Sequence, residues 1–359
     1  MNMDIFEDLF VLEIANNHWG GVKRGLKIIN EFGKTVKSNN IRAALKLQFR
    51  DVDNFIHKDF MDKTDIRYIK KTLDTKMTKE SFEELVAAIR KSGCISMATP
   101  FDEKSVEWCV DLGIQIIKIA SSDMNDWSLI EKIATTKKPV IFSTGGASLK
   151  DIDNLVLFLE QKTIPFALNH CVSLYPTEDH DLQLNQIDFL KNRYPGHVIG
   201  LSTHEYRDLT YSIMMAYAKG ARTFERHIDI NADGRPVSSY CSVPEQVDTW
   251  FKAWHKAKDM CGSSSHQRRK PSQEETKYLN ALVRGVYAKR DLPAGHALAE
   301  NDVYLAIPLQ KGQISCRELM HGEVLLKPCA KDQPVMIDAI DSPYANHEDL
   351  KNMIFDRGI

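Results

Sequence analysis

No stretch of this chain is apolar for long enough to cross a bilayer as a helix, and its opening residues lack the basic and apolar regions of a signal peptide, carrying Asp4, Glu7 and Asp8 instead. Neither sign of charge is in excess: 47 Lys and Arg stand against 49 Asp and Glu, a net charge of -2. That balance excludes the broad basic face that binds nucleic acid and gives no handle for an anionic membrane. The seven cysteines are odd in number and lack paired short spacings, which argues against a disulfide framework and fits a reducing cytoplasm. A glycine-rich dinucleotide fingerprint and a phosphate P-loop are both missing after the first apolar run, so an open nucleotide-binding sheet is disfavoured. There is no fixed-period repeat and no low-complexity tract. What is present, 359 residues with 43% hydrophobic and 27% charged, describes a soluble globular chain of two or three domains, or one large barrel with a small module.

Apolar runs recur with helical patterns between them. Strands are expected at Leu9 to Ile14, Ile41 to Leu47, Ile95 to Ala98, Ile116 to Ala120, Val140 to Ser143, Phe166 to Asn169, Val198 to Leu201 and Arg222 to Phe224. Thr78 is placed to cap a helix whose Phe82, Leu85, Val86 and Ile89 form one stripe, and Ser105 to Leu112 repeats the pattern. Eight strands alternating with helices over the first 261 residues predict a (β/α)8 TIM barrel, an α/β fold. Residues 262–280, with Gly262 to His266 and Pro271-Ser272, read as a polar, helix-poor linker. Short alternating runs at Val283 to Lys289, Val303 to Ile307 and Pro334 to Ile337 then predict a small β-rich domain over 281–341, followed by a polar tail, 342–359.

A barrel carries its active site at the carboxyl ends of its strands, and here those ends are polar. Two of them finish in histidine, Ser202-Thr203-His204 and Glu225-Arg226-His227, and two histidines at equivalent strand ends suggest a metal site. Lys46 and Lys118 sit inside apolar strands, where an unpaired ammonium costs several kcal/mol, so each must meet an anion. That anion is a phosphate or carboxylate ligand, a structural partner such as Glu13 or Glu225, or neither if a lysine forms a Schiff base. Ser143, Thr144 and the Gly145-Gly146 amides add hydrogen bonds suited to an anion, although Ser-Thr-Gly is also an ordinary turn.

The runs Glu13-Ile14-Ala15-Asn16-Asn17-His18, Lys46-Leu47-Gln48, Thr99-Pro100-Phe101-Asp102, Lys118-Ile119-Ala120-Ser121, Ser143-Thr144-Gly145, His170 to Thr177, Ser202-Thr203-His204 and Glu225-Arg226-His227 resemble, in order, the motifs of the N-acetylneuraminate (sialic acid) synthase family. The segment Arg284-Gly285-Val286-Tyr287-Ala288, with Asp291 to Gly295, resembles that family's antifreeze-like (SAF) domain. The resemblance implies condensation of phosphoenolpyruvate with an N-acylated amino-sugar aldehyde to a nine-carbon 3-deoxy-2-keto acid, with release of phosphate. It implies a divalent metal, manganese in preference to magnesium, on His204 and His227. Lys46, Lys118, Ser121, Ser143 and Ser202 match phosphoenolpyruvate contacts; Glu13 and Gln48 match polar groups at the reacting centre, where Glu13 or Glu225 would serve the water-addition step. Thr144, Ser173 and Tyr175 fall in the same substrate-binding runs, and Arg284 matches an arginine donated to the neighbouring subunit's site in a domain-swapped homodimer.

The chain departs from the family on the acceptor side. After the second histidine the usual Gly-Pro-Asp-His is replaced by Asp229 to Tyr240; Trp19 and Ser173 stand where asparagine is common. Trp19 has two roles open, stacking on a sugar face or packing. Two other readings compete with the synthase. A Schiff-base pyruvate aldolase would be trapped by borohydride, and a non-catalytic carbohydrate-binding homologue would bind amino sugars and release no phosphate.

Overall fold

The computed structural model describes residues 5–262 and 267–358, and its contacts divide into two units, Met1–Gly262 and Ser263–Ile359. Eight parallel strands close the first unit into a barrel in sequence order: β1 (Leu9–Ala15), β2 (Ala43–Phe49), β3 (Ile95–Pro100), β4 (Ile116–Ile119), β5 (Val140–Ser143), β6 (Phe166–Cys171), β7 (Val198–Thr203) and β8 (Thr223–His227). Around them run α1 (Val22–Ser38), α2 (Val52–Phe55), α3 (Arg67–Asp74), α4 (Lys79–Lys91), α5 (Glu103–Asp111), α6 (Trp127–Thr135), α7 (Leu149–Gln161), α8 (Asn185–Arg193), α9 (Thr210–Lys219) and α10 (Pro244–Cys261). Thr78 caps α4 by accepting from the Ser81 N–H, and its stripe Phe82, Leu85, Val86 and Ile89 is buried as expected. Gly220 ends α9 in the left-handed region, φ 100°, where a side chain would be strained.

Strand alternation sorts the chemistry. Leu9, Val11, Ala44, Met97, Ile116, Ile141 and Ala167 form an apolar layer with Phe6 at the bottom of the barrel. The next inward positions up the same strands are Glu13, Lys46, Thr99, Lys118 and Ser143, so the interior turns polar toward the mouth. Outward positions such as Phe10, Leu45, Phe142 and Phe224 join the large core under the helices. Burial of that layer, at about 25 cal/mol per Å² of apolar surface, is what offsets the cost of the polar interior.

The second unit contains α11 (Gln273–Ala281), two antiparallel pairs, β9 (Gly285–Ala288) with β10 (Val303–Ala306) and β11 (Val324–Leu325) with β12 (Ile340–Asp341), and α12 (Glu348–Phe355). Val286, Leu298, Ile314, Val335, Ile337 and Ile340 are at its core. Three expectations need correction. Of the linker, residues 263–266 lie outside the described residues, and Gln273–Ala281 is a helix, begun where the Ser272 hydroxyl accepts from the Glu275 N–H at 3.1 Å. Pro334 to Ile337 makes single bridges to Tyr287 and Gln313 and then a 3-10 turn, because proline has no N–H for a ladder. The polar tail includes α12, whose Ile354 is buried in the unit's core and after which Arg357 donates to Glu318 at 2.5 Å.

Candidate functional site

A cavity of about 450 Å³ opens at the carboxyl ends of the barrel strands. Glu13, Glu225, Lys46, Gln48, Lys118, Ser121, Ser143, Ser173, Tyr175, Ser202, His204 and His227 all line it, twelve residues brought together from every strand of the barrel but β3 or from the loops after those strands. Thr144 does not: with Ser143 pointing inward the next residue points away, and its hydroxyl donates to the Asn169 carbonyl at 3.2 Å. Arg284 is an exposed residue of the second unit, just before β9.

At the floor, two carboxylates and two ammonium groups alternate. Lys46 pairs with Glu13 and, at 3.1 Å, with Glu225, and donates to Thr99 at 3.2 Å. Lys118 lies 3.4 Å from Glu225 and donates to Ser143 at 2.5 Å. All four charged groups are at most 4% exposed. Lys46 therefore has its three N–H directions used, whereas Lys118 keeps one for a ligand.

The two glutamates differ. Burial pushes the Glu13 carboxyl above its ordinary range despite Lys46, and its Oε1 is buried without a hydrogen-bond partner. Burial also works against the Glu225 carboxylate, but Lys118 and Lys46 outweigh it and hold that group below its ordinary range. Burial depresses Lys118, while for Lys46 the two carboxylates outweigh burial and keep it firmly charged. Asn169, which the sequence reading left out of the site, accepts from Thr223 at 2.5 Å and reaches Glu225 at 3.5 Å. Gly200 makes room for that bridge, since a Cβ there would collide with both Thr223 and Asn169.

The histidines sit above this floor with ring centroids 5.4 Å apart. His204 Nδ1–H donates to the Val172 carbonyl at 3.0 Å, which leaves Nε2 with a free lone pair. His227 Nδ1 is buried without a partner. Burial lowers the His204 pKa to about 4 and that of His227 well below its ordinary value, so both rings are neutral at pH 7. Neutral imidazoles with uncommitted nitrogens fit a divalent ion. Among the described residues no group of three or more His, Cys, Asp or Glu gathers to hold a metal, so any such ion would complete its shell with water or substrate oxygen.

In the loop after β5, Gly145 donates its N–H to the Ser121 hydroxyl at 3.1 Å. A Cβ on Gly145 would strike the Ser173 and Ser121 oxygens and crowd the Cys171 sulfur, so only glycine lets these groups converge. Near the rim, Arg50 lies 3.7 Å over the Phe101 ring and donates to Gln48 at 3.2 Å. The sequence reading missed Arg50 and Tyr68 as lining residues. For Arg50 a signal existed, since it continues the inward series Lys46, Gln48. Trp19 does not line the cavity; its ring carries the Arg235 guanidinium at 4.4 Å, so two of the three departures from the family pattern stack on each other.

Comparison with known proteins finds a match to the NeuB family over residues 38–266 and to the SAF domain over 283–341. An uncharacterized protein of Methanocaldococcus jannaschii is 30% identical, covering 84% of this chain and 86% of its own length. A pseudaminic acid synthase of Campylobacter jejuni is 26% identical over 92% of this chain and 95% of its own. Among solved structures, a candidate spore coat polysaccharide biosynthesis protein E of Chromobacterium violaceum is 38% identical with a TM-score of 0.89, covering 94% of this chain and 100% of that one. A sialic acid synthetase of Leptospira borgpetersenii, in complex with citrate, is 27% identical with a TM-score of 0.66, covering 76% and 91%.

Proposed function

Because the chain belongs to the NeuB family and carries a SAF domain, it is a sialic acid synthase-type enzyme, and we propose that it joins phosphoenolpyruvate to an N-acylated amino-sugar aldehyde, giving a nine-carbon 3-deoxy-2-keto acid and phosphate. The observation that carries this reading is the buried Glu13–Lys46–Glu225–Lys118 floor lying in one cavity with two neutral histidines. Lys118 donates its free N–H to the phosphate, with Ser121 and Ser143 beside it. Ser202 donates to the carboxylate, and Lys46, whose N–H groups are taken by Glu13, Glu225 and Thr99, adds its charge. Gln48 after Lys46 on β2, and Ser173 and Tyr175 in the loop after β6, line the cavity from opposite sides and would receive the acceptor between them.

His204 and His227 would hold one divalent ion, manganese suiting mixed nitrogen and oxygen ligation better than magnesium. When bound, that ion supplies Lewis-acid polarisation to the aldehyde oxygen. The C2=C3 pair of phosphoenolpyruvate forms the new bond from C3 to the aldehyde carbon, whose C=O π pair moves onto oxygen, leaving positive charge at C2 and an alkoxide that takes up the proton released by the added water. Glu225, kept ionised by two ammonium groups, stabilises that charge. Glu13, with its raised pKa and free Oε1, takes a proton from the water that adds to C2, after which the C2–O bond to phosphate breaks. The reading extends to a cytoplasmic, domain-swapped homodimer in which Arg284 completes the neighbouring subunit's acceptor site.

The test is phosphate release from phosphoenolpyruvate across a panel of mannosamine-type aldehydes with manganese present. Release that requires the aldehyde supports the reading. Borohydride trapping with pyruvate, or binding of amino sugars without phosphate release, would replace it with one of the two alternatives.

A further inference from the structure

Behind the two histidines lies a charge pair that the proposed chemistry does not use. Along β7 and β8 the residues lining the cavity are Ser202 and His204, Glu225 and His227, so the alternate residues Thr203, Glu205 and Arg226 point to the far side of the strands. Their neighbours on that side, Leu201 and Phe224, are packed in the apolar core. Yet Arg226 is 1% exposed and Glu205 0%. Arg226 Nη1 lies 3.1 Å from Glu205 Oε1, its Nη2 donates to the main-chain carbonyl of Glu205, and its Nε donates to Ser242 Oγ at 2.5 Å. The Glu205 carboxylate accepts in turn from Thr203 and, at 2.5 Å, from Ser212 of α9. The main chain of Ser242 also donates to the His227 carbonyl at 2.9 Å.

Stability does not explain this cluster. Burying two charges costs several kcal/mol for each, and an apolar pair of the same volume is often as stable or more so. Geometry does explain it. The β7–β8 ladder ends at Thr203 with Arg226, one residue short of each histidine; His227 is held by its pairing with Glu13 of β1 and His204 by its carbonyl, which accepts from Thr177, so no ladder bond joins the two histidines directly. The planar guanidinium ties the residue before His227 to the residue after His204, across that gap, by the bond from Nη2 to the Glu205 main chain, with Nη1 beside the Glu205 carboxylate as an ion pair. We propose that Arg226 and Glu205 are positioning residues that set the separation and aim of the two imidazoles for a divalent ion. The inference rests on the metal reading above.

The test uses the full chain with Arg226→Met and Glu205→Leu combined, which leaves no charge unpaired. Manganese titration, followed by loss of the free ion's magnetic resonance signal, should show binding about 10- to 100-fold weaker than in the unaltered protein, as for other supports of metal ligands. The thermal midpoint should stay close to the original, and the visible spectrum of bound cobalt should change in intensity. Arg226→Lys, which keeps the charge but loses the planar guanidinium, and Ser242→Ala should each weaken binding severalfold, and they decide the matter if the double variant fails to fold. Unchanged manganese affinity and cobalt spectrum in folded variants would overturn the proposal while sparing the metal reading. Failure of the unaltered protein to take up either ion would overturn both.

Discussion

Glu13 and Glu225 occupy adjacent strands and meet the same lysine, yet their environments push them in opposite directions, and the proposed roles follow from that difference. The lysines differ as well. Lys46→Met would strip the shared cation from two buried carboxylates, an uncompensated change expected to cost about 3–5 kcal/mol in urea unfolding. Adding Glu13→Gln should return part of it. Lys118→Met leaves Glu225 with Lys46 and Asn169, so it should cost less stability. Its effect should appear as a raised KM for phosphoenolpyruvate with little change for the acceptor; the reverse pattern in initial rates would reassign Lys118 to the sugar. His204→Ala and His227→Ala should each abolish metal uptake and turnover with circular dichroism unchanged. Full activity of either variant in a chelator would remove the metal from the account.

At the scale of elements, the loops after β1 and β5 can each be tested through one residue, His18 and Gly145. Gly145→Ala should displace Ser121 and Ser173 and raise the KM for phosphoenolpyruvate, read by steady-state kinetics, because the added carbon has nowhere else to go. His18, 1% exposed in the loop after β1, accepts from the Gly20 N–H, and burial lowers its pKa to about 4. The unfolded chain protonates first, near pH 6.5, so this residue's share of stability is lost as pH falls from there toward 4, about 3 kcal/mol in all. His18→Asn keeps an acceptor and should flatten that slope in urea midpoints measured across the range. The barrel strands were legible because each is a run of apolar residues bounded by turns. The end of β6 was under-read, since it continues through His170-Cys171 and polar side chains facing a cavity look like the start of a loop, whereas β8 does finish at His227. Helices α11 and α12 bury one core residue between them, Ile354, too little apolar periodicity to stand out. Asn169 escaped because its partners Thr223 and Glu225 are more than 50 residues away.

For the whole molecule, the proposed exchange of one SAF domain per subunit closes a two-fold dimer. Arg284→Ala should depress activity with every barrel residue intact. Mixing it with His204→Ala under subunit exchange should restore part of the activity, because one site then joins an unaltered barrel to an unaltered SAF domain; no recovery in demonstrated mixed dimers would place Arg284 elsewhere. The central claim is the carbon–carbon bond itself, and the most direct measurement follows carbon-13 at C3 of phosphoenolpyruvate by magnetic resonance, with manganese and an amino-sugar aldehyde present. The account predicts that the vinyl signal gives way to a methylene bonded to a hydroxyl-bearing carbon, one phosphate appearing per methylene formed. Label ending in the methyl group of free pyruvate, or remaining in phosphoenolpyruvate with every aldehyde, would contradict it.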